Sequence, residues 1–322
     1  MRYRLFGRTG LRVSEFVLGT MAIGDRDEYR RILEVFAEVG GNFLDTASAY
    51  GASEEMLGEV LWERDRFVIG TKYTLSRDPA DPNAAGNHRK NMILSLERSL
   101  RRLRTDYVDI YWVHVWDRHT PIEETMRALD DVVRSGKVLH VGISDAPAWI
   151  VAQANMIAQF RGSVPFSGLQ VPYNLLQRDI ERELLPMAEA FGMSVTAWAP
   201  MAQGVLSGSA RRRADPGKLS ARDRAGASAV AAVAAELGVT AAQVALAWTR
   251  HRSAAVLPIV GVSSAAQLAA NLAAGQVVLP EEMVARLEAA APFDPGFPQE
   301  FITRCDESPH VYGTAVDRVD PR

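Results

Sequence analysis

The octapeptide YVDIYWVH, residues 107–114, decides the fold. It is a short apolar run that ends in a histidine, which reads as a buried strand whose last residue leaves the core. Upstream stands FVIGTK (67–72), a second apolar run that closes on a lysine. Between the two, Ile93, Leu96, Leu100 and Leu103 recur at helical spacing. Apolar strands separated by helices predict a parallel sheet covered by helices.

The same unit repeats in both directions. EFVLGT (15–20) and NFLDTA (42–47) precede it, separated by the helical spacing of Tyr29, Ile32, Leu33 and Phe36. VLHVGIS (138–144), GLQVPYN (168–174), SVTAWAP (194–200) and AVLPIVG (255–261) follow. Eight such units in a chain of 322 residues predict an α/β fold, a closed (β/α)8 barrel forming one domain. The rival is a doubly wound open sheet, but no G-x-G-x-x-G follows the first strand. An opening hairpin over residues 3–13 turns at Gly7 to Gly10. Two long connections, YTLSRDPADPNAAGN after Lys72 and MAQGVLSGSARRRADPGKLSARDRAG after the seventh strand, read as functional loops. The alanine-rich segment 225–247 is strong helix former. After Ala291 the prolines are too many for another helix, so 292–322 reads as a C-terminal loop or tail.

Bulk properties exclude several roles. With 48% hydrophobic and 23% charged residues the composition is that of a soluble globular protein. A net charge of −3 gives no reason to expect a nucleic-acid or membrane partner. The one cysteine, Cys305, has no internal disulfide partner and reads as a free thiol. The N-terminus lacks the apolar core of a signal peptide, and no apolar run approaches membrane-spanning length. A cytoplasmic enzyme or binding protein is expected, and a homo-oligomer is compatible.

In such a barrel, chemistry sits where strands end. The second strand ends in Asp45, the third in Lys72, the fourth in His114 and the fifth in Ser144 and Asp145. The sixth carries Gln170, Tyr173 and Asn174, the seventh Trp198, and the eighth ends at Gly261. Taken singly, Asp45 could be a helix cap, Lys72 a solvated strand end and His114 a satisfied structural residue. On adjacent parallel strands they converge on one rim. Reduction of a carbonyl by hydride needs an acid as charge develops on oxygen. Tyr50 is a poor acid at an ordinary pKa of about 10. An ammonium at Lys72, held by Asp45, is expected to lower that value, with His114 donating a hydrogen bond to the substrate oxygen. None of the four carries a hydride, so a redox cofactor is implied. In PIVGVSSAAQLAAN (258–271), Gly261, Ser263 and Ser264 offer a phosphate site at a helix start.

With these residues assembled, LDTASAYG, GTK, DIYWVH, VGIS, LQVPYNLL and WAPMAQGVLSG resemble the aldo-keto reductases, from LFGRTGLRVSEFVLGT through IVGVSSAAQLAAN. The bacterial branch related to the potassium-channel beta subunits looks closest. The resemblance implies an NADP(H)-dependent oxidoreductase on a (β/α)8 barrel, with Asp45, Tyr50, Lys72 and His114 as its catalytic four and Tyr50 as general acid. It also implies Ser144, Asp145 and Gln170 at the nicotinamide carboxamide, Tyr173 near that ring, and Gly19, Thr20 and Met21 at the ribose. Trp198, Pro200, Met201, Gln203 and Gly204 would border the pyrophosphate, and Gly261, Ser263, Gln267 and Asn271 the adenosine end. This chain departs from the family pattern at Ala270, where relatives often carry glutamate, and at Ser209, where they carry lysine. It has no basic residue within 261–267, which leaves Arg211, Arg212 or Arg213 to compensate.

Other readings compete. Lys72 could form a Schiff base as in an aldolase, which the neighbouring Asp45 opposes. His114, Asp117 and His119 could hold a metal, although HVWDRH is no metal signature. A cofactor-binding regulatory subunit with little turnover shares these motifs. Trp116, on a strand-end loop, is expected to wall the substrate, with Trp112, Met21 and Trp149 as further candidates. An aldehyde, a ketone and a sugar-derived carbonyl all fit.

Overall fold

The computed structural model describes residues 1–208 and 219–318. Strands β1 (Tyr3–Leu5) and β2 (Arg12–Ser14) pair antiparallel as the opening hairpin. Eight parallel strands follow: β3 (Val17–Gly19), β4 (Phe43–Asp45), β5 (Val68–Tyr73), β6 (Val108–Val113), β7 (Val138–Ser144), β8 (Phe166–Pro172), β9 (Ser194–Trp198) and β10 (Val256–Gly261). β10 pairs with both β3 and β9, so the sheet closes into a barrel. Each apolar run expected to be a strand supplies one.

The period-two geometry of a strand sorts each run between two cores. In β6, Ile110 and Trp112 point into the barrel beside Phe6, Val17, Phe43, Val68, Leu257 and Ile259. Tyr111 and Val113 point out toward the helices. Asp109 also points out and is buried, yet it is satisfied: its Oδ2 accepts from the Ile69 N–H at 2.9 Å and from Arg64 at 2.7 Å. Trp112 fills the interior, which corrects its reading as a candidate substrate wall. Its indole meets Phe6 edge-on at 6.1 Å, so the hairpin plugs the N-terminal end. The neighbouring strand supplies Gly142, where a Cβ would lie 2.4 Å from the Trp112 ring.

Helices α1 (Arg26–Glu38), α2 (Ser53–Val60), α3 (Arg89–Leu103), α4 (Ile122–Arg134), α5 (Ala148–Arg161) and α6 (Leu184–Phe191) alternate with the strands. In α1, Asp25 caps the Glu28 N–H at 2.8 Å, and Tyr29, Ile32, Leu33 and Phe36 are buried as their spacing predicts. The buried stripe of α3 is Met92, Leu96, Leu100 and Leu103; Ile93 stands on the exposed edge, one position from the expected stripe. The alanine-rich segment forms two helices, α7 (Ala221–Leu237) and α8 (Ala241–His251), bent by 102° at a break. Gly238 ends the first in a left-handed turn, and Thr240 with Gln243 starts the second with a capping box. Among the described residues no single helix is long and apolar enough to cross a membrane.

After α9 (Ala265–Leu272) and α10 (Glu281–Ala290), the C-terminal segment departs from its reading as loop. It forms α11 (Gln299–Asp306) and the short α12 (Pro309–Tyr312). The prolines do not prevent this because Pro298 caps α11 and Pro309 opens α12, positions that need no N–H donor. The segment is anchored where Arg182, after β8, donates to the Asp294 carbonyl at 2.8 Å.

Candidate active site

Two residues along a strand return to the same face, so each interior column ends in a polar group at the C-terminal mouth. Phe43 leads to Asp45, Val68 and Gly70 to Lys72, Ile110 and Trp112 to His114, and Gly168 to Gln170. Register sets them side by side: Asp45 lies opposite Gly70, and Lys72 opposite Trp112. Lys72 is completely buried, and its ammonium has three acceptors: Asp45 Oδ2 at 2.7 Å, the Thr46 carbonyl at 2.8 Å and Tyr50 Oη at 3.2 Å. The other oxygen of Asp45 accepts from Gln170 Nε2 at 3.0 Å, and the same amide donates to Thr196 Oγ1 at 3.2 Å. A buried ammonium and carboxylate tolerate desolvation only with such complete pairing. The His114 ring stands edge-on to Tyr50, with centroids 5.8 Å apart.

The four residues thus converge, and two of their protonation properties follow from burial. Burial pushes the Tyr50 phenol above its ordinary value; the Lys72 charge opposes that rise, while Asp45 and Asp145 add to it. The net direction is upward, which corrects the expectation that the Lys72–Asp45 couple makes the phenol more acidic overall. His114 is driven down to about 3 by burial and then by the Lys72 charge, so the imidazole is neutral at physiological pH. Its Nδ1 is buried with no hydrogen-bond partner among the described residues.

Around this cluster the rim is unevenly available. Met21 is half exposed at the end of β3, whereas Gly19 and Thr20 are buried. Thr20 directs its hydroxyl to the Asp45 carbonyl at 3.0 Å and to Ser53 Oγ at 2.7 Å, so it props β4. Ser144 is buried, and Asp145 follows it with φ 45°, its Oδ1 accepting from the Trp198 indole at 3.2 Å. Burial raises the Asp145 carboxyl, and the Trp198 bond pulls it back. After β9 the backbone turns left-handed at Ala199, Ala202, Gln203 and Gly204, beside Pro200 and Met201. Such a run of strained residues at strand ends marks functional loops. Tyr173 is not on this rim. It is buried against Trp248 with its hydroxyl on Glu181 at 2.7 Å, on the helix side of the barrel wall, which corrects its placement near a nicotinamide ring.

At the last strand Gly261 is exposed with open space beside it, and Asn271 is buried with its Nδ2 unpartnered among the described residues. Ser263 and Gln267 bond to each other, N–H to Oε1 at 3.0 Å. The Ala265 N–H, at the start of α9, donates to Glu28 Oε1 at 2.7 Å. Ser209, Arg211, Arg212 and Arg213 lie outside the described residues.

Residues 15–292 match the aldo/keto reductase family. The chain belongs to that family. This aldo/keto reductase is 39% identical to norsolorinic acid reductase stcV of Emericella nidulans, over 91% of this chain and 82% of that protein. It is 37% identical to the aryl-alcohol dehydrogenase GME11368 of Pestalotiopsis microspora, over 94% and 85%. Aldo-keto reductase ausK of Emericella nidulans is 36% identical, over 93% and 84%. These relatives are fungal, and they do not show the narrower placement beside the potassium-channel beta subunits. Family membership carries carbonyl–alcohol oxidoreductase chemistry and a nicotinamide cofactor, NAD(H) or NADP(H).

The reductase site fits such a cofactor. A buried amide without a partner at Asn271, and Gln170 Oε1 left over once its N–H groups are used, are polar atoms that a dinucleotide would satisfy. Lys72, ringed by acceptors, has no free face for Schiff-base attack. Asp117 accepts from the N–H groups of Asn87 and His119 and from the Thr120 hydroxyl, and among the described residues no group of three or more His, Cys, Asp or Glu side chains is placed to hold a metal. Sequence reading missed Thr46, whose carbonyl accepts a hydrogen bond from the Lys72 ammonium, and Thr196, which holds Gln170. Thr196 had a signal, since it stands one strand period before Trp198; the Thr46 carbonyl had none.

Proposed function

We propose that this aldo/keto reductase reduces an aromatic aldehyde or ketone to the alcohol with NADP(H), using Tyr50 as proton donor and His114 as hydrogen-bond donor. The observation that carries the reading is the set of three acceptors around Lys72. Because Tyr50 Oη accepts from Lys72, the phenol keeps its own proton for an oxygen in the mouth. When bound, the cofactor supplies hydride to the carbonyl carbon. Tyr50 gives its proton to the carbonyl oxygen, and the phenolate left behind faces the Lys72 ammonium. Asp45 and the Thr46 carbonyl hold that ammonium in place. His114, neutral, has one ring N–H to donate to the same oxygen, as neutral histidine does in other carbonyl-polarising sites.

Ser144, Asp145 and Gln170 Oε1 would hold the carboxamide, with Met21 at the ribose. Trp198, Met201 and the left-handed turn at Ala202 to Gly204 would flank the pyrophosphate. Gly261, Ser263, Gln267 and Asn271 would take the adenosine end. An aromatic substrate is favoured by the rim beyond His114. There Trp116 and Trp149 meet edge-on at 5.7 Å, and Trp149 is 61% exposed. An exposed indole at a mouth is apolar surface that a flat ring covers. The relative named as an aryl-alcohol dehydrogenase supports the same class. Cytoplasmic location fits a reaction that draws on reduced cofactor.

Steady-state oxidation of NADPH with a panel of aryl and alkyl aldehydes tests this. Wild type is expected to turn over aryl aldehydes best, and Tyr50→Phe to lose about 10²- to 10⁴-fold in kcat. Fluorescence titration of that variant with NADPH should stay within about twofold of wild type, because the phenol acts on the substrate oxygen. Full activity in Tyr50→Phe would remove Tyr50 from its role. Tight NADPH binding with no turnover on any carbonyl would favour a regulatory subunit.

A further inference from the structure

His114 carries an orientation problem. A catalytic imidazole is usually aimed by a hydrogen bond on its second ring nitrogen. Here Nδ1 is buried and has no such partner among the described residues. The backbone is held instead. The His114 N–H donates to the Tyr73 carbonyl at 3.1 Å and to Thr74 Oγ1 at 3.3 Å. One residue further on, the Val115 carbonyl accepts from Asn87 Nδ2 at 3.1 Å.

Thr74 and Asn87 form the other half of this clamp. Thr74 follows β5 with φ 106°, a conformation that a β-branched residue avoids and that persists only where the surroundings enforce it. The enforcement is visible. Thr74 is buried, its Oγ1 accepts from Asn87 Nδ2 at 2.8 Å, and its carbonyl accepts from the Gly86 N–H at 2.8 Å. Asn87 is buried with every polar group in use. Its Oδ1 accepts from the Asp117 N–H at 2.7 Å, its N–H donates to Asp117 Oδ2 at 3.1 Å, and its carbonyl accepts from the Tyr73 hydroxyl at 3.2 Å. Gly86 must be glycine for this approach, because at φ +86° a Cβ would lie 2.8 Å from Asp117 Oδ2. One asparagine therefore ties the end of β5, the loop before α3 and the end of β6 around the backbone of His114. Backbone strain gathered at the strand end that carries Lys72, beside an imidazole whose Nδ1 has no partner among the described residues, has a functional reading.

We propose that Thr74 and Asn87 are positioning residues that aim His114 by clamping its backbone, in place of a hydrogen bond to its ring. The inference rests on the proposed role of His114 and is tested with a double-mutant cycle on the full-length enzyme, using NADPH and an aryl aldehyde. Thr74→Val removes the hydroxyl at nearly constant shape. It is expected to lower kcat about 10- to 100-fold, the scale of an ångström of misplacement, with NADPH binding by fluorescence unchanged. Thr74→Ser, which keeps the hydroxyl, should retain kcat within about threefold of wild type. Thr74→Val added to His114→Ala should cost nothing further, because the clamp then has no imidazole to aim. Losses that multiply in the double variant would overturn the proposal, as would a Thr74→Val enzyme with wild-type kcat or a Thr74→Ser enzyme as poor as Thr74→Val. If Thr74→Val does not fold, Asn87→Ala enters the same cycle against His114→Ala with the same two outcomes. Wild-type activity in His114→Ala alone would instead defeat the functional reading of His114, a result distinct from failure of the clamp.

Discussion

Tyr50 stands between opposing effects. Burial raises its pKa, and the ammonium 3.2 Å from its oxygen pulls the other way without winning. The consequence has a sign. Below the raised value the phenol is protonated, which is the form that reduction consumes; the reverse oxidation needs phenolate. Reduction is therefore expected to be flat through neutral pH and to fall at alkaline pH, while alcohol oxidation climbs as pH rises. His114, held down at about 3, should add no break between about pH 5 and 8 in either direction. Profiles of kcat/KM for both directions check this; a break near the ordinary histidine value of about 6.5 would mean that His114 titrates freely. Which residues form the cluster was legible from the strand ends. The direction of the Tyr50 shift was not, because desolvation depends on how much protein surrounds the phenol.

The helix α9 shows what an element adds to its residues. Its sequence suggested an open phosphate site, since serines precede it and Gly261 gives access. Folding uses part of that capacity internally: Ser263 bonds Gln267, and the Glu28 carboxylate from α1 takes the Ala265 N–H. No basic residue lies in 261–267 to make a charge-assisted bond to a 2′-phosphate. Discrimination between NADPH and NADH is therefore expected to be below about tenfold in Kd, roughly 1.4 kcal/mol. Fluorescence titration with each cofactor measures it. A preference of about a hundredfold or more for NADPH would require a cation from elsewhere in the chain. Contacts such as Glu28 with Ala265 join residues 237 positions apart, and no local pattern announces them. The C-terminal helix α11 differs: the number of prolines argues against a helix but their position does not, since Pro298 falls where a helix accepts it.

At the scale of the molecule, the barrel is held from inside by Trp112. Its indole touches the plug residue Phe6 and sits where Gly70, Gly142 and Gly168 leave room, so one side chain locks the hairpin to four strands. Trp112→Ala is expected to cost about 3–5 kcal/mol of stability, read by chemical denaturation. A loss under about 1 kcal/mol would mean that the interior collapses around the gap. The eight strands, their parallel order and the polar residue closing each interior column were determined by the sequence alone, because period-two and helical spacing are local properties of the chain. Burial belongs to the closed barrel. Only closure decided that the Tyr50 phenol is raised and that a strained threonine and a buried asparagine grip the backbone of His114. Those outcomes depend on which distant segments exclude water from one another, and spacing along the chain does not encode that.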